Sequence, residues 1–183
     1  MFTERPRSLP LPDPSPPQPP VEPGELAALL ASGYRTEGEW KPVASAGRLW
    51  PLVLHALIPD GECYELLWFD PDRPALRSTE ARVSAGVVEE CLIQSDVSTA
   101  VMERRGSLVV ISVDLSRVGA KYGNRGALYS LLEAGAVGHQ LAIGAKAMGL
   151  GTRMICGFWV SELQQALELE LIPLALVLVE HRQ

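Results

Sequence analysis

Residues 127–148, ALYSLLEAGAVGHQLAIGAKAM, constrain this chain more than any other stretch. The run is apolar and rich in helix formers, and Gly149 and Gly151 follow it as stop signals, so one long helix is predicted. Its small residues (Ala127, Ala134, Gly135, Ala136, Gly138, Ala142, Gly144, Ala145 and Ala147) let a second backbone come close. A glycine inside a helix costs roughly 0.5–1 kcal/mol relative to alanine, so their retention implies a packing or ligand reason. Glu133, His139, Gln140 and Lys146 interrupt the apolar run, which makes this a buried helix and not a membrane span.

Around that helix the chain alternates strand and helix signals. Residues 52–58 and 64–69 read as two strands joined through Pro59-Asp60-Gly61, a turn signal, with Asp70-Pro71-Asp72-Arg73-Pro74 ending the hairpin. The continuous apolar runs 108–113 (LVVISV) and 174–179 (LALVLV) have strand length and suit strands covered on both faces. Short helices are predicted over 25–32, stopped by Gly33, over 83–94, and over 161–168 with Ser161 as cap. Such a mixture means α+β or α/β architecture. Nine of the fifteen prolines fall in the first 23 residues, and proline can sit in neither a helix interior nor a central strand. Residues 1–24 are therefore expected to be an arm or linker, and 25–183 one folded domain.

Charge and cysteine usage narrow the function classes. A net charge of −6 argues against a nucleic-acid partner, which needs a dense basic surface. The cysteines, Cys63, Cys91 and Cys156, have no metal-ligand spacing, and an odd count with no apolar leader segment points to a reducing cytoplasm. The chain carries no P-loop, GxGxxG after a strand, HExxH, CxxC or GxSxG, so simple hydrolase and kinase readings lose support and no metal is expected.

Four segments remain that can do chemistry: Arg5-Pro-Arg-Ser8, Ser45-Ala-Gly47, Lys121-Tyr-Gly-Asn-Arg-Gly126 and Gly149-Leu-Gly-Thr-Arg-Met-Ile-Cys-Gly-Phe158. Arg-x-Arg-Ser can hold a phosphate through guanidinium forks and a hydroxyl. Ser-Ala-Gly lets backbone approach a planar ring. The turn after a Gly-rich helix can aim N–H groups at an electronegative atom. A lysine beside a tyrosine can serve as a base, although a solvated lysine next to a core tyrosine reads the same way.

In this order the four segments resemble the flavin-dependent nitroreductase superfamily, and within it the branch of azoline dehydrogenases that act on thiazole- and oxazole-modified peptides. KPVASAGRLWPLVLHALI is similar to that branch's Pro-Ser-Ala-Gly segment and following strand. KYGNRGALYSLLEAGAVGHQLAIGAKAMGLGTRMICGF is similar to its Lys-Tyr-Gly segment, long helix and Gly-Leu-Gly turn. The branch usually carries a histidine where this chain has Ala136, and Gln-Asn where it has His139-Gln140.

The resemblance implies an α+β nitroreductase-like fold, with a central mixed sheet flanked by helices, and a homodimer holding FMN. It implies that Arg5, Arg7 and Ser8 grip the phosphate, that Ser45, Ala46 and Gly47 line the ring, and that the backbone of Cys156 and Gly157 lies beside its reactive edge. Gln140, Gly151 and Arg153 are further expected cofactor contacts, and Lys121 and Tyr122 the expected catalytic pair. The implied reaction is dehydrogenation of a thiazoline or oxazoline ring in a peptide or carrier-bound substrate, with a cyclodehydratase as a further partner. The alternatives are an NAD(P)H-dependent nitroreductase or flavin reductase, and a non-catalytic subunit of this fold that binds a peptide or modifying partner.

Overall fold

Four strands in this chain carry enough apolar side chains to be covered on both faces, and they form the middle of a six-stranded sheet. The computed structural model describes residues 19–93 and 106–181. Its strands are β1 (Leu52–Asp60), β2 (Cys63–Asp70), β3 (Ala75–Ser84), β4 (Ser107–Val113), β5 (Leu150–Ile155) and β6 (Ile172–His181). They lie in the order β3-β2-β1-β4-β6-β5, and each pairing is antiparallel. The sheet expected to be mixed is thus antiparallel throughout, because β1, β2 and β3 form a meander and β4 and β5 run against their neighbours.

Strand alternation sends side chains to two cores. On one face Leu54, Ala56, Ile58, Val109 and Ile111 meet α1 (Pro23–Tyr34) and α4 (Arg125–Ala147). On the other, Leu57, Leu66, Leu108, Val110 and Leu178 meet α2 (Ala85–Glu90) and α5 (Val160–Ala166). β4 is buried at all seven positions. Each large apolar side chain taken fully out of water contributes about 1.5–3 kcal/mol, and Leu26, Leu29 and Leu30 of α1 are all 0% exposed. Val21, just before α1, is already in the core.

α4 covers the expected long helix, and its glycines answer the packing question. A Cβ on Gly138 would stand 2.9 Å from the Met154 sulfur on β5, and one on Gly126 would stand 2.9 Å from Val118. One on Gly144 would collide with Ser32 of α1. Gly135 faces outward, with nothing within 4 Å of such a Cβ. No described helix is long and apolar enough to cross a membrane.

Several element predictions are corrected. Gly33 does not stop α1, which runs to Tyr34; a Cβ there would stand 2.8 Å from Leu141 Cδ2, so this glycine is a helix-crossing point. The Asp70–Pro74 cluster ends the β1–β2 hairpin as expected but leads into an unexpected strand, β3; Asp70 organises the turn by accepting from the N–H groups of Asp72 and Arg73 and from the Arg77 guanidinium. Residues 75–84 are strand, which leaves Ala85–Glu90, among the described residues, of the helix expected over 83–94. Ser161 is not the cap of α5; Trp159 occupies that position. Residues 150–155, read as part of a turn, form β5. An unexpected helix, α3 (Leu115–Tyr122), follows β4, capped by Asp114, whose carboxylate accepts from the Ser116 N–H at 3.0 Å.

One buried polar group has a direct consequence for stability. His55 on β1 is 8% exposed, and its Nδ1 has no hydrogen-bond partner among the described residues. Burial alone pushes its pKa down from 6.5 to about 4. Between those values an unfolded chain takes up a proton that the folded chain refuses. Stability is therefore full above pH 6.5 and falls as pH drops through 4, by about 3 kcal/mol at most. Urea unfolding between pH 7.5 and 4 should show this slope in the wild type and a flatter one in His55→Phe. Equal slopes would mean that His55 is charged in the fold.

Candidate functional site

The Ser45–Gly47 turn and the Lys121–Tyr122 pair meet at one end of the sheet. Residues 46–48 form a single turn of 3₁₀ helix, in which Gly47 has φ +61°. A Cβ on Gly47 would stand 2.7 Å from the Tyr122 hydroxyl and 2.8 Å from Lys121 Nζ. The glycine is thus required twice, by its left-handed backbone and by the two polar groups that fill the place of a side chain. Lys121 is exposed and Tyr122 half-buried. The lysine Nζ lies 5.3 Å from the Tyr122 ring centre, and Tyr129 packs edge-on against that ring at 5.1 Å.

A buried polar network lies behind the turn. Glu133 on α4 is 4% exposed. It accepts from the Tyr34 hydroxyl at 2.8 Å, and the Ser45 hydroxyl lies near enough to favour its carboxylate. Tyr34 in turn accepts from the Leu52 N–H at 3.2 Å, and Ser45 Oγ from the Trp50 N–H at 3.1 Å. Burial pushes the Glu133 carboxyl above its usual range, opposed by those hydrogen bonds and by Lys41. Burial also raises the Tyr34 phenol, and its negative neighbour Glu133 adds to the shift. Lys41, its pKa lowered by burial, donates to Tyr34 O at 3.1 Å and to Thr36 Oγ1 at 3.0 Å, and sits 4.4 Å from the centre of the Tyr34 ring.

The other expected site residues are spread along the same domain. Leu52 pairs with Val113, Val113 with Ile172, and Ile155 with Leu176. Cys156 and Gly157 therefore leave β5 toward the sheet end where the turn and the pair lie. β4 and β6 stand between β1 and β5, a separation of about 14 Å at ordinary strand spacing. Cys156 is exposed, and Gly157 accepts from the Ile93 N–H at 2.9 Å. Gly151 and Arg153 sit farther back on β5, opposite Glu180 and Leu178, and Gln140 is half-buried on α4. Arg5, Arg7 and Ser8 lie outside the described residues.

Sequence reasoning missed Glu133 as part of the network, reading it only as a break in an apolar run. It also missed Arg117, whose Nη1 donates to the Trp50 carbonyl at 3.0 Å. The available signals were one carboxylate inside a buried helix face and the Asp-x-Ser-Arg start of α3.

Comparison with known proteins shows the family and the fold. Residues 17–179 match the model of the Nitroreductase family. The chain is 27% identical over 158 residues to MJ1384 of Methanocaldococcus jannaschii, a nitroreductase-type designation, covering 84% of this chain and 77% of that protein. Among solved structures it resembles a chain of the E. coli microcin synthetase McbBCD complex with truncated pro-MccB17 bound. The TM-score is 0.71 at 19% identity, over 86% of this chain and 63% of that one, so this chain spans less than two thirds of that neighbour. A Staphylococcus epidermidis chain described as an NAD(P)H:FMN oxidoreductase gives a TM-score of 0.61 at 11% identity, covering 88% and 78%.

Proposed function

Because this chain belongs to the nitroreductase family, we propose that it is an FMN-dependent dehydrogenase that converts thiazoline or oxazoline rings in a peptide to thiazole or oxazole. The observation that carries this reading is the seating of Lys121 Nζ and the Tyr122 hydroxyl against the bare backbone of Gly47. That cradle brings a proton-accepting pair to the turn proposed to line the ring. The likeness to a chain of a microcin synthetase complex supports the branch.

FMN would supply the two-electron acceptor for the ring that is oxidised. The chain's own part is to bind and to move a proton. Arg7, Ser8 and Arg5 are proposed for the phosphate on their motif; Ser45, Ala46 and Gly47 for the ring; Cys156 and Gly157 for its reactive edge, through backbone N–H groups. Gln140, Gly151 and Arg153 are proposed as lesser contacts. Lys121 or Tyr122 removes the proton from the carbon beside the one that is oxidised. Both groups stand against Gly47, so either one can reach the same proton.

The reading is tested with the purified protein and FMN. The protein should retain FMN through gel filtration, and incubation with a thiazoline peptide should give a product lighter by two hydrogens. Retained flavin with no such product, but rapid reduction by NADPH, would favour a flavin reductase, to which the likeness to an NAD(P)H:FMN oxidoreductase also speaks. Protein that takes up no FMN would favour a non-catalytic subunit.

A homodimer is part of the proposal. The outer face of α4 exposes Leu128 (56%), Leu131 (53%), Leu132 (65%) and Ile143 (52%), opposite the stripe that packs on the sheet. An apolar face of this size on a helix already anchored in the core suits a second copy. Light scattering at micromolar concentration should give the mass of two chains. Leu132→Glu should weaken association by about a hundredfold or more, since it desolvates two charges in a symmetric interface. A wild-type monomer would remove the second copy from the account.

A further inference from the structure

The turn that carries Gly47 is strained, and its ties to the rest of the protein run to two helices. Arg48 (φ +56°) and Trp50 (φ +48°) share the left-handed backbone of Gly47, a conformation that residues with side chains avoid. Such a turn relaxes unless its surroundings hold it. Trp50 is held by both of its backbone groups: its N–H donates to Ser45 Oγ and its carbonyl accepts from Arg117 Nη1. Behind Ser45 stands Glu133 of α4. Arg117 is itself fixed by Asp114, the cap of α3, through Nε at 3.1 Å.

Arg117 and Lys121 are four residues apart on α3, and so lie one above the other on a single helix face. That face meets the turn twice, at the Trp50 carbonyl through Arg117 and at Gly47 through Lys121. From these contacts we infer that Arg117 and Glu133 are the positioning residues of the Lys121–Tyr122 pair. Arg117 fixes α3 to the turn; Glu133, which stands behind Ser45 and holds Tyr34 against the Leu52 N–H, braces the turn from α4; together they set the distance between Gly47 and the two proton-carrying groups. Neither residue touches substrate in this scheme. The catalytic half of the statement rests on the function proposed above, whereas the geometric half does not.

The test uses fluorotyrosine placed at position 122 and fluorine NMR of the full chain without flavin. Arg117→Ala and Glu133→Ala should each shift the resonance of residue 122. Glu133→Gln, which keeps an acceptor for Tyr34, should return most of the wild-type position. Lys146→Ala, on an exposed part of α4, should leave it unchanged. In the flavin-loaded protein the same two alanine variants should slow flavin reduction by a thiazoline peptide about ten- to hundredfold, with little change in KM, as expected for misplacement by a fraction of an ångström to one ångström. An unmoved resonance in folded Arg117→Ala overturns the inference, and because the Arg117 side chain is half exposed this variant serves even if Glu133→Ala does not fold. A moved resonance in a protein whose wild type oxidises no thiazoline would uphold the positioning and sink the reaction. Normal thiazoline oxidation with an unmoved resonance would do the reverse.

Discussion

Reduction of bound flavin by a thiazoline peptide slows by about 10²–10⁴-fold in Lys121→Ala and in Tyr122→Phe, while both proteins keep their flavin and its absorption band. That range is what a positioned base contributes to proton removal. The two residues sit within contact of the same glycine, so they act on one proton and the double variant should lose little more than the worse single one. Anaerobic single-turnover reduction isolates this step from reoxidation. Wild-type rates in both variants would make the pair structural. Loss of flavin from both would assign the pair to cofactor binding and withdraw its proposed catalytic role.

Leu141→Ala lowers stability by about 2–5 kcal/mol, the usual cost of emptying a buried leucine site. Leu141 is 0% exposed, and its Cδ2 lies where a Cβ on Gly33 would be, 2.8 Å away, so it fills the crossing between α1 and α4. Adding Gly33→Ala to Leu141→Ala should restore part of the loss, because the new methyl group enters the vacated volume. Urea unfolding checks both statements: the midpoint should fall and partly recover with the slope unchanged. Additive losses would show that the two positions do not share that space. The effect reaches the site, since Tyr34, which donates to Glu133, ends the same helix.

What could be read from the sequence follows the position of each strand in the sheet. The four strands that were legible, β1, β2, β4 and β6, are the inner four, where burial on both faces writes a dense apolar run. The two that were missed, β3 and β5, are the edges. β3 exposes Ser78, Thr79 and Glu80, and β5 exposes Arg153 and Met154, so neither shows a clear strand pattern. α4 was legible from its length, but its glycines could not be assigned a partner until Met154, Val118 and Ser32 were seen opposite them.

The candidate site divides in the same way. Ser45, Ala46, Gly47, Lys121 and Tyr122 were found in two short motifs, and the fold brings Gly47 and the Lys-Tyr pair into contact. Nothing local in the sequence says that Gly47 is needed to make room for a lysine and a tyrosine more than seventy positions later. Glu133 and Arg117 carry no motif; their meaning depends on which loop passes their side chains. Gly151 and Arg153 were read from a Gly-Leu-Gly stop signal, yet they belong to an edge strand and stand back from the turn.

If the proposed reaction is right, this site takes electrons from an azoline ring. The most direct measurement mixes the flavin-loaded wild type anaerobically with a thiazoline peptide in one syringe and with NADPH in another. The thiazoline peptide should bleach the visible flavin band in a single turnover, with one thiazole formed per flavin reduced. Bleaching by NADPH alone, with the thiazoline peptide recovered unchanged, would contradict it.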